Sequence, residues 1–357
     1  MWHNCGVEQL VARRAHNPEV AGSSPAPATK TKAPILVLLF FKHYFMQQQG
    51  LSKKYGFHKT NLIIIFISLF CFLFGQFVSA LILHAFDLSI AESLLNNAEL
   101  SSKEINVLKL AQFFSALLSF VLPSVFCAYL LYDNWKSQLR ITKVNYKSSF
   151  YLIPLFLLLI MPFMNIIIQW NESIVFPESL RDLELALRAS EDSSQLFIKT
   201  LLQGTGVFTL IINILLIGAL PALGEELFFR GLLQSHLNDY FKNPHIGIFI
   251  SAFLFSAIHF QFYGFFPRLI LGLIFGYLVY FSGSIWTAVF AHLFNNALAV
   301  IVVYFQNLGK ISEEVESFGT SSYEIIYSFV CLALAVFVAR SLIINFKKRN
   351  KIINLVD

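Results

Sequence analysis

Two adjacent carboxylates and a guanidinium, Glu225, Glu226 and Arg230 in the stretch GEELFFRG, follow directly on an apolar run from Val207 to Leu223 that holds no charged side chain. An ionisable group at membrane depth costs about 2.5–3.5 kcal/mol on insertion scales, so each such residue is a functional candidate unless it can snorkel. Other apolar runs carry His259, in FSAIHF, and His292, Asn295 and Asn296, in AHLFNN. Together these are the parts of a hydrolytic site: a carboxylate base for water, imidazoles to hold that water, and a carboxamide donor for an oxyanion.

Helical spacing assigns the groups to faces. Glu226 and Arg230 are four apart and pair on one face, while Glu225, about 100° round the helix, is free to point into a cavity. His292 and Asn296 share a face, and Phe255, one turn before His259, can wall the same side. Asn295 and Asn296 are adjacent and cannot share a face, so one of them is expected to serve as glue between helices. His84, His236 and His245 lie near run ends and are expected at the membrane interface. Glu225, His259 and His292 could also supply three zinc ligands, the usual number at a catalytic zinc with one position left for water. H-E-x-x-H is absent, however, and the expected scheme uses Glu225 as base without cofactor, zinc being the alternative.

The elements that must position these groups follow from composition. The 357 residues are 56% hydrophobic and 13% charged, with 39 phenylalanines and a mean hydropathy of +0.65. A soluble domain carries about a quarter charged residues, so the expected fold is all-α, a polytopic membrane protein around an intramembrane polar cavity. Runs near the length that crosses the hydrocarbon predict eight spans, at about 61–83, 111–132, 150–170, 203–229, 246–262, 268–282, 286–305 and 322–345. Ser101-Ser102-Lys103-Glu104 reads as a capping box ahead of the second, and Pro154 and Pro162 as kinks in the third. In PESLRDLELALRA, Leu180, Leu183 and Leu187 share one face and charges occupy the others, which predicts a surface helix along the outer interface. The chain divides into residues 46–200 (three spans and loops), 201–305 (four spans with the candidate site) and 306–357 (last loop, last span and basic tail).

Lysine and arginine are retained on the cytoplasmic side. Lys53, Lys54 and Lys59, then Lys136, Arg140, Lys143 and Lys147, then Lys347, Lys348, Arg349 and Lys351 all fall on one side of an eight-span plan. Both termini are therefore expected in the cytoplasm. Asp87, Glu92 and Glu99, and Glu313, Glu314 and Glu316, fall on the opposite side. The net charge of +5 thus reports topology, and no basic patch with interleaved aromatics suggests nucleic acid. The cysteines Cys5, Cys71, Cys127 and Cys331 are dispersed and argue for neither a disulfide framework nor a thiolate metal site.

Residues 1–45 lack any helical or strand period. They resemble a translated transfer-RNA gene, with Gly22-Ser23-Ser24-Pro25 matching the T-arm, so translation is expected to begin near Met46 in a bacterial gene. A disordered tail is the alternative.

In order, E-E-x-x-x-R at Glu225–Arg230, F-x-x-x-H at Phe255–His259 and H-x-x-x-N at His292–Asn296 resemble the three signatures of the CPBP family, the CAAX proteases and bacteriocin-processing membrane endopeptidases, also called Abi. The resemblance covers roughly residues 200–300. It implies an intramembrane peptidase whose cavity opens toward the cytoplasm, in which Glu225 activates water with Glu226 as partner. It further implies that His259 and His292 complete the water site, Asn296 stabilises the oxyanion and Arg230 holds the glutamates. The expected partners are the lipid bilayer and a peptide or membrane-protein segment, and the expected location is the bacterial cytoplasmic membrane. Two other classes fit the inventory: a catalytically idle immunity or scaffold protein, and a proton-coupled transporter, for which the two halves show no inverted similarity.

Overall fold

In hydrocarbon a backbone has only itself to bond, and the long apolar runs fold accordingly. The computed structural model describes residues 51–86, 100–144 and 148–353, and every regular element among them is helical. Seven helices are long and apolar enough to cross a membrane. They are α1 (Leu51–Phe86), α2 (Ser102–Leu131), α3 (Ser149–Glu172), α5 (Val207–Phe241), α7 (Phe265–Ser282, entered through a 3₁₀ turn at Phe262–Gly264), α8 (Ile285–Asn307) and α9 (Glu324–Ile353). Between α3 and α5 lies the amphipathic α4 (Arg181–Leu201). The eighth expected span is α6 (Pro244–Ala257), apolar but only 14 residues long. The tail at residues 1–45 and the acidic loop at Asp87–Glu99 lie outside the described residues.

The capping box forms as expected: the Ser101 hydroxyl accepts from Glu104 N–H at 3.3 Å, and Glu104 Oε2 accepts from Ser101 N–H at 2.7 Å. Helix α3 continues through both prolines. A core built on Ile153, Leu157, Phe275, Ala291, Ala335 and Leu342 joins α3, α7, α8 and α9. Elsewhere α1 turns Leu62, Phe66 and Phe77 outward, the face a span presents to lipid.

Hydrogen bonds sort the loops into two ends. At the first, Lys53 pairs with Asp133 at 3.0 Å. There Ile285 N–H donates to Arg140 O and Ser284 Oγ to Thr142 O, and the Lys347 ammonium sits 5.5 Å from the Phe281 ring centre. At the second, Tyr304 Oη donates to Thr205 O and Asn307 Nδ2 to Leu202 O, tying α8 to the loop that follows α4.

Two glycines allow the approaches that set the site. A Cβ at Gly224 would stand 3.0 Å from Phe120 Cβ, so its absence lets α2 lie against the turn that presents Glu225. A Cβ at Gly272 would stand 3.1 Å from Ala252 Cβ. That packing of α7 on α6 brings the Gly272 carbonyl within reach of Arg230.

Candidate active site

Helix α5 carries the paired glutamates near its middle, not close to an end as a span ending at 229 would require. Two stretches of wide π turns, Ile214–Ala219 and Leu227–Gln234, flank the α-helical Leu220–Glu226. Such π segments are frequent at functional sites. Spacing alone suggests a uniform α-helix here and cannot show them.

Glu226 and Arg230 are both fully buried, with Glu226 Oε1 and Arg230 Nη1 2.9 Å apart. The guanidinium also donates from Nη2 to Gly272 O at 3.0 Å and lies 4.5 Å from the Phe255 ring centre. A charge so enclosed survives only when paired and hydrogen-bonded, and Arg230 has a carboxylate, a carbonyl and an aromatic face around it.

His292, on α8, is held by the same carboxylate oxygen. Its Nδ1 lies 2.9 Å from Glu226 Oε1, and Phe275 stacks on the ring at 5.0 Å and 22°. A carboxylate is an acceptor only, so the bond fixes the proton on Nδ1 and leaves Nε2 as a lone pair. That atom is 3.9 Å from Glu225 Oε2. The gap is too long for a direct hydrogen bond, but a water seated beside the line between them could donate one hydrogen to each.

His259 follows the end of α6 and bonds through Nδ1 to Phe255 O at 2.8 Å. Since the carbonyl accepts, Nε2 again carries the lone pair. Phe255 stands edge-on to both imidazoles, 5.4 Å from His259 and 6.0 Å from His292 by ring centres. The structure thus brings Glu225, Glu226, Arg230, Phe255 and His292 together, with His259 joined to them through Phe255. Among the described residues no three His, Cys, Asp or Glu side chains are grouped so as to hold a metal ion, the zinc set Glu225, His259 and His292 included.

Asn296 donates through Nδ2 to Ile217 O at 3.2 Å, within the first π stretch of α5, and accepts from Asn295 at 3.3 Å. The bond between helices is therefore made by Asn296 itself, leaving one amide hydrogen for other use. His236, near the first end of the bundle, is buried, with Nδ1 2.7 Å from Tyr132 Oη and Phe57 stacked on its ring.

Because α6 stops short, the loop from Ile258 to Gly264 turns back within the bundle. Phe260 adopts the left-handed region with φ +52°, and partners on three elements hold the loop. Arg268 on α7 donates to both Gln261 Oε1 and Gln261 O. Asn171 on α3 donates to Phe262 O and accepts from Phe266 N–H. On α4, Arg188 lies 4.1 Å from the Tyr263 ring centre. Motif spacing does not reveal Arg268 or Gln261. The available signal is a guanidinium opening an otherwise apolar run.

Above this loop a recess of about 610 Å³ opens between α4 and the body, lined by Ser190, Ser193, Ser194, Phe197 and Ile198 with His259 and Gln261. Helix α4 is fastened by Arg188, which pairs with Glu184 at 2.8 Å and donates to Ile174 O at 3.2 Å. The N–H of Phe176 and then Arg188 hold Glu184 below the usual carboxylate range, whereas burial raises Glu191 on the same helix, opposed by the Arg268 charge. The apolar face of α4 is not closed against protein, since Leu183 and, just before the helix, Leu180 remain exposed. This suits a helix along an interface.

The recess belongs to the second end of the bundle, away from Lys53, Arg140 and Lys347.

Residues 207–298 match the family model described as Type II CAAX prenyl endopeptidase Rce1-like. No curated protein and no solved structure matches the chain.

Proposed function

Residues 207–298 belong to the CAAX protease (CPBP) family of membrane endopeptidases, and from that premise we propose that the chain is an intramembrane endopeptidase in which Glu225 activates the attacking water. The observation that carries this reading is the run Arg230–Glu226–His292–Glu225, with contacts of 2.9, 2.9 and 3.9 Å. Arg230 pairs with Glu226, Glu226 fixes the His292 tautomer, and His292 Nε2 with Glu225 accepts both hydrogens of a water, leaving its oxygen lone pairs for attack on a carbonyl.

In this scheme Glu225 takes a proton as the C–O bond forms, and then gives it to the departing amine as the C–N bond breaks. The free amide hydrogen of Asn296 is assigned to the oxyanion, a contact typically worth about 3–4 kcal/mol of barrier where it has been removed elsewhere. His259 completes the approach to the water from the recess. The substrate is a membrane-associated peptide or protein segment, and the lone pairs on Nε2 of His259 and His292 suit water or a metal alike.

Purified protein should cleave members of a peptide library, and Glu225→Gln should abolish cleavage while the variant elutes as the folded protein does. Cleavage surviving in Glu225→Gln would overturn the mechanism. Cleavage by neither protein would favour the idle scaffold. A chelator followed by desalting should leave activity intact; activity lost on chelation and restored by zinc would replace the scheme with a metalloprotease one.

A further inference from the structure

We infer that this protein holds one anionic diacyl phospholipid in the grooves beside α9, with the lipid phosphate between Arg340 and Lys347.

The first support is an unanswered charge. Arg340 is the one charged side chain in residues 325–346, and at such depth it needs a reason as much as Glu225 does. Helix α9 turns Ala335, Val338, Leu342 and Phe346 into the core and leaves Arg340 exposed on another face. No carboxylate, carbonyl or ring among the described residues holds its guanidinium. A cation with no partner in the bundle finds its counter-charge in the lipid.

The second support is the cation that shares its face. Val336, Arg340, Ile343 and Lys347 form one stripe of α9, with Lys347 about 10 Å nearer the first end. The Lys347 ammonium is steadied there by the Phe281 ring, 5.5 Å from its centre. Arg340 and Lys347 border one recess of about 540 Å³ whose other walls are apolar, Phe156 and Ile160 of α3 among them. No acidic side chain among the described residues lines it. A phosphodiester offers two unesterified oxygens, which suit the paired donors of a guanidinium. Basic pockets between spans take anionic headgroups, whereas a zwitterionic headgroup brings its own ammonium against these two cations.

The third support is room for two chains. The recess runs from Lys347 to Leu332, about 22 Å of helix. It adjoins a second recess of about 410 Å³, walled by Ile274 and Tyr277 of α7, and Phe156, Ala339 and Ile343 border both. Each has the size of a ligand cleft, and the small Ala339 leaves open a groove that a larger side chain would fill. One chain in each recess buries apolar surface, which a free phosphate cannot do. The occupant is therefore a lipid and not an ion from solution.

Detergent-purified protein, stripped of lipid by gel filtration, can be mixed with equal amounts of dioleoyl phosphatidylglycerol and dioleoyl phosphatidylcholine and read by native mass spectrometry. The phosphatidylglycerol adduct should exceed the other about 30-fold, the two cations contributing about fivefold each. Equal adducts on the unsubstituted protein would overturn the inference and leave Arg340 merely snorkelling to the interface. Arg340→Gln combined with Lys347→Gln should abolish the preference, and Arg340→Lys alone should keep most of it. A preference undiminished in the double variant would overturn the assignment to these residues. Ala339→Leu keeps both cations but fills the wall common to the two recesses, so it should lower the phosphatidylglycerol adduct; an unchanged adduct would reduce the site to surface charge. Glycerol phosphate in large excess should not displace the lipid, and displacement would assign the site to a free phosphate instead.

Discussion

Glu226 and His292 are joined across α5 and α8 by a 2.9 Å hydrogen bond from imidazole Nδ1 to carboxylate Oε1. The same oxygen accepts from Arg230, so one atom holds both the charge that must be neutralised and the ring that must be aimed. Removing either neighbour should have separable effects.

Arg230→Ala leaves Glu226 fully enclosed and short of its cation. Breaking a buried pair from one side costs about 3–5 kcal/mol, so the amount of monodisperse protein after extraction should fall well below that of Glu225→Ala. Equal yields from the two variants, measured by fluorescence-detected gel filtration, would deny Arg230 its structural role.

Glu226→Gln should keep much of the packing yet free the His292 ring to adopt the wrong tautomer. Loss of such an orienting partner lowers activity by about 10–100-fold at metal-bound histidines and by about 10⁴-fold in a serine triad. A fall in kcat with little change in KM is expected here; a change in KM alone would show that the bond orients nothing in the reaction.

Arg268→Lys keeps the charge but loses the planar fork that grips Gln261 at two atoms. With Phe260 already in a left-handed conformation, the turn bearing His259 should relax, and a displacement of about 1 Å can cost about 100-fold in rate. Activity of Arg268→Lys equal to that of the parent would mean that charge, not grip, is what the position supplies.

Gly224→Ala places a methyl 3.0 Å from Phe120 Cβ, an atom with little freedom to move. Overpacking of this kind costs about 1–3 kcal/mol. The variant should melt earlier than the parent in a thermal unfolding assay in detergent, and an unchanged melting temperature would show that α2 and α5 can separate freely.

Acidification should loosen α4 through Glu184. Its carboxyl is held below the ordinary range by the Phe176 N–H and by Arg188. It therefore contributes stability above its unfolded pKa, and that contribution is lost as pH falls through the folded one. Hydrogen exchange over residues 174–190 should be faster in Glu184→Gln than in the parent at neutral pH and should converge with it in acid. A gap that persists in acid would assign the anchoring elsewhere.

Hydropathy made the helices legible, because the cost of an unsatisfied backbone in hydrocarbon leaves an apolar run of about 20 residues one outcome. It also singled out Glu225, Glu226, Arg230, His259 and His292, since a polar group at that depth needs a reason. Which polar atom would meet which was not legible. That His292 bonds Glu226, already committed to Arg230, depends on the rotation of α5 and α8, and the π turns of Ile214–Ala219 and Leu227–Gln234 alter that rotation without a mark in residue spacing. Helix α6 reads as a span because its apolar run continues to His259 and Phe260, whereas the chain leaves the helix at Ala257 to make the Arg268-bound turn. The role of α4 was hidden for a related reason: amphipathicity says that a helix lies on a surface, not what lies beneath it.

The brevity of α6 also bears on the lipid around it. Phe249 and Phe253 face outward, and Phe260, just beyond the helix, is more exposed still. Acyl chains beside this helix therefore meet an apolar wall about 9 Å shorter than the hydrocarbon is thick. A bilayer meets such mismatch by thinning locally, at a cost of fractions of a kcal/mol per Å. The dent would draw headgroups and water down toward His259, shortening the distance a tethered chain must be lifted. Membrane thickness thus becomes a variable of this protein's working environment, with thin bilayers easing entry and thick, ordered ones opposing it.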